Sequence, residues 1–201
     1  MQLGALGWVR PSGEFHAEGL PDALDPLVDG LEGLEKAKVE GHEQFGIRGV
    51  PAGVFVVQEH QATAHHWDFR LEVEGVMKSW AVPKGPSLDP AVKRMAIEVE
   101  DHSMGHNRYE GPNVIIWDRG TYEQGGRVAW PEALGRGHAV FVLHGEKLHG
   151  GFALQRTGGD AKKPQWLLIK RKDDEARPGS DITAERPDSV VSGRPLASEQ
   201  D

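Results

Sequence analysis

Three chemically active side chains occupy alternate positions in one short segment of the sequence. His66, Asp68 and Arg70 are separated by large apolar residues, namely Trp67, Phe69 and Leu71. A β-strand sends alternate side chains to opposite faces. The segment therefore predicts one apolar face and one face with an imidazole, a carboxylate and a guanidinium in a row. His60 ends the preceding apolar run, and together these residues indicate a metal site beside an anion-binding arginine.

The proposed ligands are His60, His66 and Asp68, a set of two nitrogens and one oxygen that suits Mn²⁺, Zn²⁺ or Fe²⁺. Three protein ligands leave positions open for water and substrate, as a catalytic site requires. The alternative is that these are ordinary solvated or hydrogen-bonded histidines, since the chain has 10 of them. His65 faces the other side of a regular strand and is excluded from the set.

Two cations near this row are candidates for binding an anion. The guanidinium of Arg70 fits phosphate oxygens with two parallel hydrogen bonds, although a surface salt bridge to Glu72 or Glu74 is the alternative. Lys84 opens a Gly- and Pro-containing loop over residues 84–90, where it provides a point charge or is an ordinary loop lysine.

A third imidazole, His102, ends an alternating run over residues 96–102. There it can protonate a leaving oxygen or contact a phosphoryl oxygen. His106 and Tyr109 follow in the next loop, where a surface role is an equal alternative. Trp80, Trp117 and Trp166 are expected in the core.

Composition limits what this site can be. A chain of 201 residues with 38% hydrophobic content is enough for one core, and the absence of cysteine excludes thiolate catalysis and disulfides. We expect a cytoplasmic protein, because the sequence lacks a signal peptide and a membrane-spanning run. The net charge of −8 argues against a broad electrostatic grip on nucleic acid. The acid is concentrated in residues 14–44 and 172–201, however, and residues 121–171 are locally basic.

The pattern of apolar residues predicts a mainly β protein, an antiparallel barrel of about eight strands with a short helix before it and flexible termini. Strands are expected at residues 54–60, 66–74, 76–82, 94–100, 113–118, 138–144, 150–157 and 165–171. Glu74-Gly75 predicts a tight hairpin. Residues 1–50 form a lead-in that is irregular up to residue 13 and has a possible helix at 21–38. Residues 51–172 form the barrel domain, and 173–201 a disordered polar tail.

Several ordered segments together resemble the 3′-phosphoesterase domain of bacterial DNA ligase D. They are residues 55–60 (FVVQEH), 66–72 (HWDFRLE), 78–90 (KSWAVPKGPSLDP), 99–102 (VEDH), 114–120 (VIIWDRG), 145–150 (GEKLHG) and 166–170 (WLLIK). The resemblance covers roughly residues 54–172. It implies a β-barrel that heals DNA 3′ ends by removing a terminal ribonucleoside and then the remaining 3′-phosphate. It also implies a divalent metal, manganese first, with zinc or cobalt as alternatives.

The resemblance assigns roles residue by residue. It makes His60, His66 and Asp68 the metal ligands. It implies that Arg70 and His102 hold and polarise the scissile phosphate. Further substrate contacts would come from Gln58, Lys84 and Glu100.

This chain departs from the family pattern at three points. His106 stands where the family usually has a tyrosine, and it is carried over as a pH-sensitive phosphate contact. The loop between Gly111 and Val114 is short. No ligase or polymerase domain accompanies the barrel, so we expect a free-standing protein that acts on DNA or RNA–DNA 3′ ends with a separate ligase or polymerase.

The expected function is therefore metal-dependent healing of DNA 3′ ends. One rival keeps the fold but not the chemistry, as an end-binding module that recruits a ligase. The other is a non-haem iron oxygenase, in which His66 and Asp68 would form a facial triad with the distant His144, beside Arg156.

Overall fold

The computed structural model describes the backbone of residues 6–9, 15–18, 51–126, 128–160 and 163–197. The helix predicted at residues 21–38 lies outside these ranges. Two four-residue strands, β1 (Leu6–Val9) and β2 (Phe15–Glu18), pair as an antiparallel sheet. The prediction of an irregular lead-in up to residue 13 is wrong at β1, because four residues are too short to show a clear periodicity.

Eight antiparallel strands close into a barrel, as the sequence predicts. They are β3 (Pro51–Gln61), β4 (His65–Val73), β5 (Val76–Val82), β6 (Lys93–His102), β7 (Val114–Gly125), β8 (His138–Gly145), β9 (His149–Asp160) and β10 (Lys163–Lys170). Their order around the barrel is β10-β6-β5-β4-β3-β7-β8-β9. The helices are short: a 3-10 helix (Met104–Arg108), α1 (Glu132–Gly135) and α2 (Ile182–Glu185). Within the described residues, no helix has the length and apolarity needed to cross a bilayer.

Aromatic side chains fill the barrel interior. Phe141 lies at the centre of this cluster, with its ring centroid 5.9 Å from that of Phe69 and 6.2 Å from that of Phe152. The three tryptophans expected in the core, at positions 80, 117 and 166, are all at most 2% exposed. Burying such large rings is the main source of stability in a barrel of this size.

The alternation in β4 places the core and the reactive residues on opposite sides of the barrel wall. Trp67, Phe69 and Leu71 are buried inside, as predicted, while Asp68 and Arg70 belong to the outer face. The turn after β4 also agrees with the sequence. Glu74 and Gly75 have φ values of 52° and 81°, the left-handed pair that a two-residue hairpin turn of type I′ requires.

Residues 173–197, which we call the C-terminal segment, pack along the barrel, so the prediction of a disordered tail is wrong here. Its carbonyl oxygens accept hydrogen bonds from buried groups of the barrel. Trp117 Nε1 donates to Arg186 O at 2.9 Å, and Lys147 Nζ donates to the carbonyls of Arg186 and Asp188 at 2.7 and 2.6 Å. The segment is poor in apolar residues, but it satisfies polar groups that would otherwise be buried without partners.

Candidate active site

Two neighbouring strands bring the three predicted metal ligands together on the outer face of the barrel. His60 of β3 lies directly opposite His66 of β4, and Gln58 lies opposite Asp68. One nitrogen of each imidazole and one oxygen of Asp68 all lie within 4.8 Å of one another, and the two imidazole centroids are 5.3 Å apart. The spacing of the donor atoms is therefore compatible with one shared cation.

The hydrogen bonding of His66 prepares it for this role. Its Nδ1 lies 2.8 Å from the carbonyl oxygen of Ala64, which can only accept, so Nδ1 carries the proton. In the neutral ring the lone pair is then on Nε2, the atom that lies 3.4 Å from Asp68 Oδ1. Metal-binding histidines commonly donate their other N–H to a carbonyl in this way. The donor set thus fits a divalent metal in chemistry as well as in spacing.

Electrostatics keep the carboxylate of Asp68 charged. Burial raises its pKa, but hydrogen bonds from His66 and Arg70 and their charges outweigh burial and hold the pKa below its usual value. In the protonated ring Nε2–H faces Asp68, and this hydrogen bond raises the pKa of His66, so a metal that binds Nε2 takes the place of that proton. Burial and the neighbouring His66 lower the pKa of His60, which favours the neutral ring that a metal requires.

Arg70 is 5% exposed and has hydrogen-bond donors without partners. Its Nη2 donates to Asp68 Oδ2 at 2.9 Å, whereas Nε and Nη1 are buried and unpaired. The alternative of a surface salt bridge to Glu72 or Glu74 is therefore wrong. A buried N–H without an acceptor costs roughly 1–3 kcal/mol, so two of them on one guanidinium indicate a place for an anion.

A serine, Ser79, lies between Arg70 and His102. Ser79 is directly opposite Arg70 on the next strand, and its Oγ is 3.2 Å from His102 Nδ1. The single hydroxyl proton of Ser79 is donated to Met77 O at 3.0 Å, so Oγ accepts from His102 Nδ1. Ser79 thereby fixes the tautomer of His102. Ser79 was not predicted from the sequence, although its outward position on a strand next to β4 is a signal for it.

The other predicted contacts lie at different distances from the cluster. Gln58 is 3% exposed and donates from Nε2 to Tyr109 O at 2.9 Å. Lys84 and Glu100 are exposed, and the described contacts do not connect either one to the three ligand candidates. His106 lies in the 3-10 helix.

Asn107 of the same helix was also missed. Its Nδ2 contacts the sulfur of Met77 at 3.2 Å, while its Oδ1 is buried without a partner.

Histidines outside the cluster have other partners. His65 lies on the face opposite His66, as predicted, with Nε2 2.8 Å from Glu59 and its ring against Trp67. His144 pairs with Glu123 at 2.9 Å on β8, a strand that does not neighbour β4. The facial triad required by the oxygenase alternative is therefore not assembled.

A cleft of about 690 Å³ has neither Arg70 nor any of the three ligand candidates among its lining residues. It lies along the outer face of β3 and is lined in part by Val56, the residue opposite Arg70. Arg108 and Arg119 also line it, and Arg119 pairs with Glu146 at 3.6 Å.

Comparison with known proteins identifies the family to which this barrel is related. The model of the DNA ligase D 3′-phosphoesterase domain matches residues 58–156, a range that contains Asp68, Arg70 and His102. Residues 58–156 are a DNA ligase D 3′-phosphoesterase domain.

The curated relatives are much longer than this chain. The multifunctional non-homologous end joining protein LigD of Pseudomonas aeruginosa is 48% identical over 159 residues, which is 71% of this chain and 18% of the relative. The corresponding DNA repair protein of Mycobacterium tuberculosis is 40% identical over 127 residues, 59% of this chain and 16% of the relative. The chain thus spans less than a fifth of either relative.

Proposed function

We propose that this domain is a divalent-metal-dependent phosphoesterase that heals DNA 3′ ends. It would remove a terminal ribonucleoside to leave a 3′-phosphate, and then remove that phosphate. The observation that carries the proposal is the convergence of His60, His66 and Asp68 beside the unpaired N–H groups of Arg70. Membership of the phosphoesterase family supports the coarser statement, a hydrolase role in DNA repair.

His60, His66 and Asp68 would hold the cation, for which we propose manganese, with zinc or cobalt as alternatives. Once bound, the cation would supply Lewis-acid polarisation of a phosphoryl oxygen. Arg70 would direct Nε and Nη1 at phosphate oxygens while Nη2 keeps its bond to Asp68. These donors are already in place, so little reorganisation accompanies charge development in the transition state.

His102 would act on the leaving oxygen. Ser79 holds Nδ1, so the proton that differs between the neutral and charged ring is on Nε2. In the charged form Nε2–H can be donated to the leaving oxygen, which is general acid catalysis. The product with a 3′-hydroxyl is the end that a ligase joins or a polymerase extends, and we propose that such an enzyme acts next.

The test uses a 5′-labelled primer–template that ends in one ribonucleoside, incubated with and without Mn²⁺. The wild type should yield a 3′-phosphate product and then a 3′-hydroxyl product, and chelation should abolish both. His60→Ala and Asp68→Asn should abolish cleavage and reduce Mn²⁺ binding in a calorimetric titration. His65→Ala is the matched control, because it removes an imidazole from the same strand on its opposite face.

Three results would count against the proposal. Manganese-dependent cleavage that persists in His60→Ala or Asp68→Asn would remove the metal site from the mechanism. A wild type that binds the primer end but releases neither product would favour the end-binding module. Turnover that requires iron and 2-oxoglutarate would revive the oxygenase alternative.

A further inference from the structure

Tyr109 presents an aromatic ring to solvent close to the candidate active site. Its side chain is 60% exposed, and it is the only aromatic among the large hydrophobic residues that are exposed in the described part of the chain. The backbone next to it is tied to the ligand cluster, since Gln58 donates to Tyr109 O at 2.9 Å and lies opposite Asp68. The backbone that carries the ring therefore adjoins the candidate active site.

The position of the ring is defined by Gly111. A Cβ added to this glycine would lie 2.6 Å from the Tyr109 hydroxyl oxygen and 3.1 Å from Cζ, so the ring covers Gly111. Gly111 pairs with Val114, and Val114 pairs with His60. Two strand spacings, about 10 Å, thus separate Gly111 from the backbone of His60. A nucleoside joined to a phosphate at the ligand cluster is of the right size to span this distance.

The C-terminal segment fixes the backbone beneath the tyrosine. Ser189 Oγ donates to Glu110 Oε1, and Arg194 Nη2 donates to Gly111 O. Together with the bond from Gln58, contacts therefore restrain three consecutive residues, Tyr109 to Gly111. An exposed ring on a restrained backbone has lost much of its freedom before binding, which reduces the entropic cost of stacking on a ligand.

We infer that Tyr109 is the stacking surface for the base of the substrate's terminal nucleoside, and that Arg194 positions it. This inference rests on the proposed 3′-end-healing function and adds a base-binding subsite to it. Stacking on an aromatic ring tolerates every base, because each base has a π-face. The subsite would therefore select for the presence of a terminal base without selecting its identity.

The test compares two primer–templates, one ending in a normal ribonucleoside and one in an abasic ribose. Loss of base–aromatic stacking should reduce kcat/KM of Tyr109→Leu on the normal substrate about 5- to 140-fold, mainly through KM. Tyr109→Phe keeps the ring and should resemble the wild type. The abasic substrate should be poor for the wild type and no worse for Tyr109→Leu. Met95→Ala, at another exposed hydrophobic residue, should leave kcat/KM unchanged on both substrates.

A binding measurement makes the result independent of cleavage. A primer with a terminal 2-aminopurine ribonucleoside should lose fluorescence on binding to the wild type and much less on binding to Tyr109→Leu. Equal quenching in the two proteins would overturn the inference even if the wild type cleaves. The same holds if Tyr109→Leu lowers kcat/KM on the abasic substrate by the same factor as on the normal one. If the wild type fails to cleave, the proposed function is refuted, and the quenching still decides the role of Tyr109.

Arg194 is tested as a positioning residue. Arg194→Met should reduce the preference of the enzyme for the normal over the abasic substrate, because the ring is no longer held. A merely structural role would lower the activity on both substrates equally and leave that preference unchanged. This second result would overturn the role assigned to Arg194.

Discussion

Replacing Arg70 with lysine tests the arginine's role most directly. In the free protein Nη2 bonds to Asp68, and two further donors, Nε and Nη1, are buried without partners. Lysine keeps the charge but presents it at a single atom, so it cannot keep the Asp68 contact and also offer two further donors to phosphate. We therefore expect the substitution to cost one charge-assisted hydrogen bond to the phosphate.

A hydrogen bond to a charged group contributes roughly 1.5–3 kcal/mol, which corresponds to a loss of about 10- to 140-fold in kcat/KM. The assay is steady-state release of the 3′-phosphate from a labelled primer in Mn²⁺. Urea denaturation of the same variant provides the control, since a folded protein with an unchanged m-value excludes a structural explanation. If Arg70→Lys stays within threefold of the wild type, bidentate phosphate binding by Arg70 is refuted.

Three further predictions concern stability. Asp173→Asn should lower the free energy of unfolding by roughly 3 kcal/mol, because the buried ammonium of Lys170 loses a carboxylate at 2.5 Å; an unchanged urea midpoint would contradict this. Burial lowers the pKa of Lys147 from 10.5 to about 8. Between these pH values the unfolded chain keeps a proton that the folded protein has released, so stability should rise with pH more steeply in the wild type than in Lys147→Met. Parallel pH profiles from urea denaturation would refute that assignment. Gly120→Ala places a Cβ against a backbone carbonyl of β8 and should lower the free energy of unfolding by about 3 kcal/mol or more. A melting temperature equal to that of the wild type would be inconsistent with this close approach.

The barrel and the central residues of the candidate site could be predicted from the sequence. Alternation of apolar and reactive residues is a local property of a strand, and it placed His66, Asp68 and Arg70 on one face correctly. The pairing of His60 with His66 followed from the adjacency of two consecutive strands. The metal that the cluster binds and the roles of its members stay predictions.

The C-terminal segment was not predictable in the same way. Its contacts include hydrogen bonds from side chains of the barrel to its backbone carbonyls, as at Arg186, and such contacts leave no pattern in composition. Only Ile182 and Ser189 of the segment are buried. Ser79 was missed for a related reason, since a lone serine on a strand acquires meaning only when the neighbouring strand supplies His102.

In β4, alternate residues face the core and the candidate site, and this limits where the chain can gain or lose residues. Losing one residue between His65 and Leu71 would exchange the two faces of β4 from that point on, exposing phenyl and indole groups while driving a carboxylate and a guanidinium inward. Folding and catalysis would fail in a single event. The turn between Gly111 and Val114 lies outside the barrel wall, so insertions there would alter access to the reactive groups and leave the barrel closed.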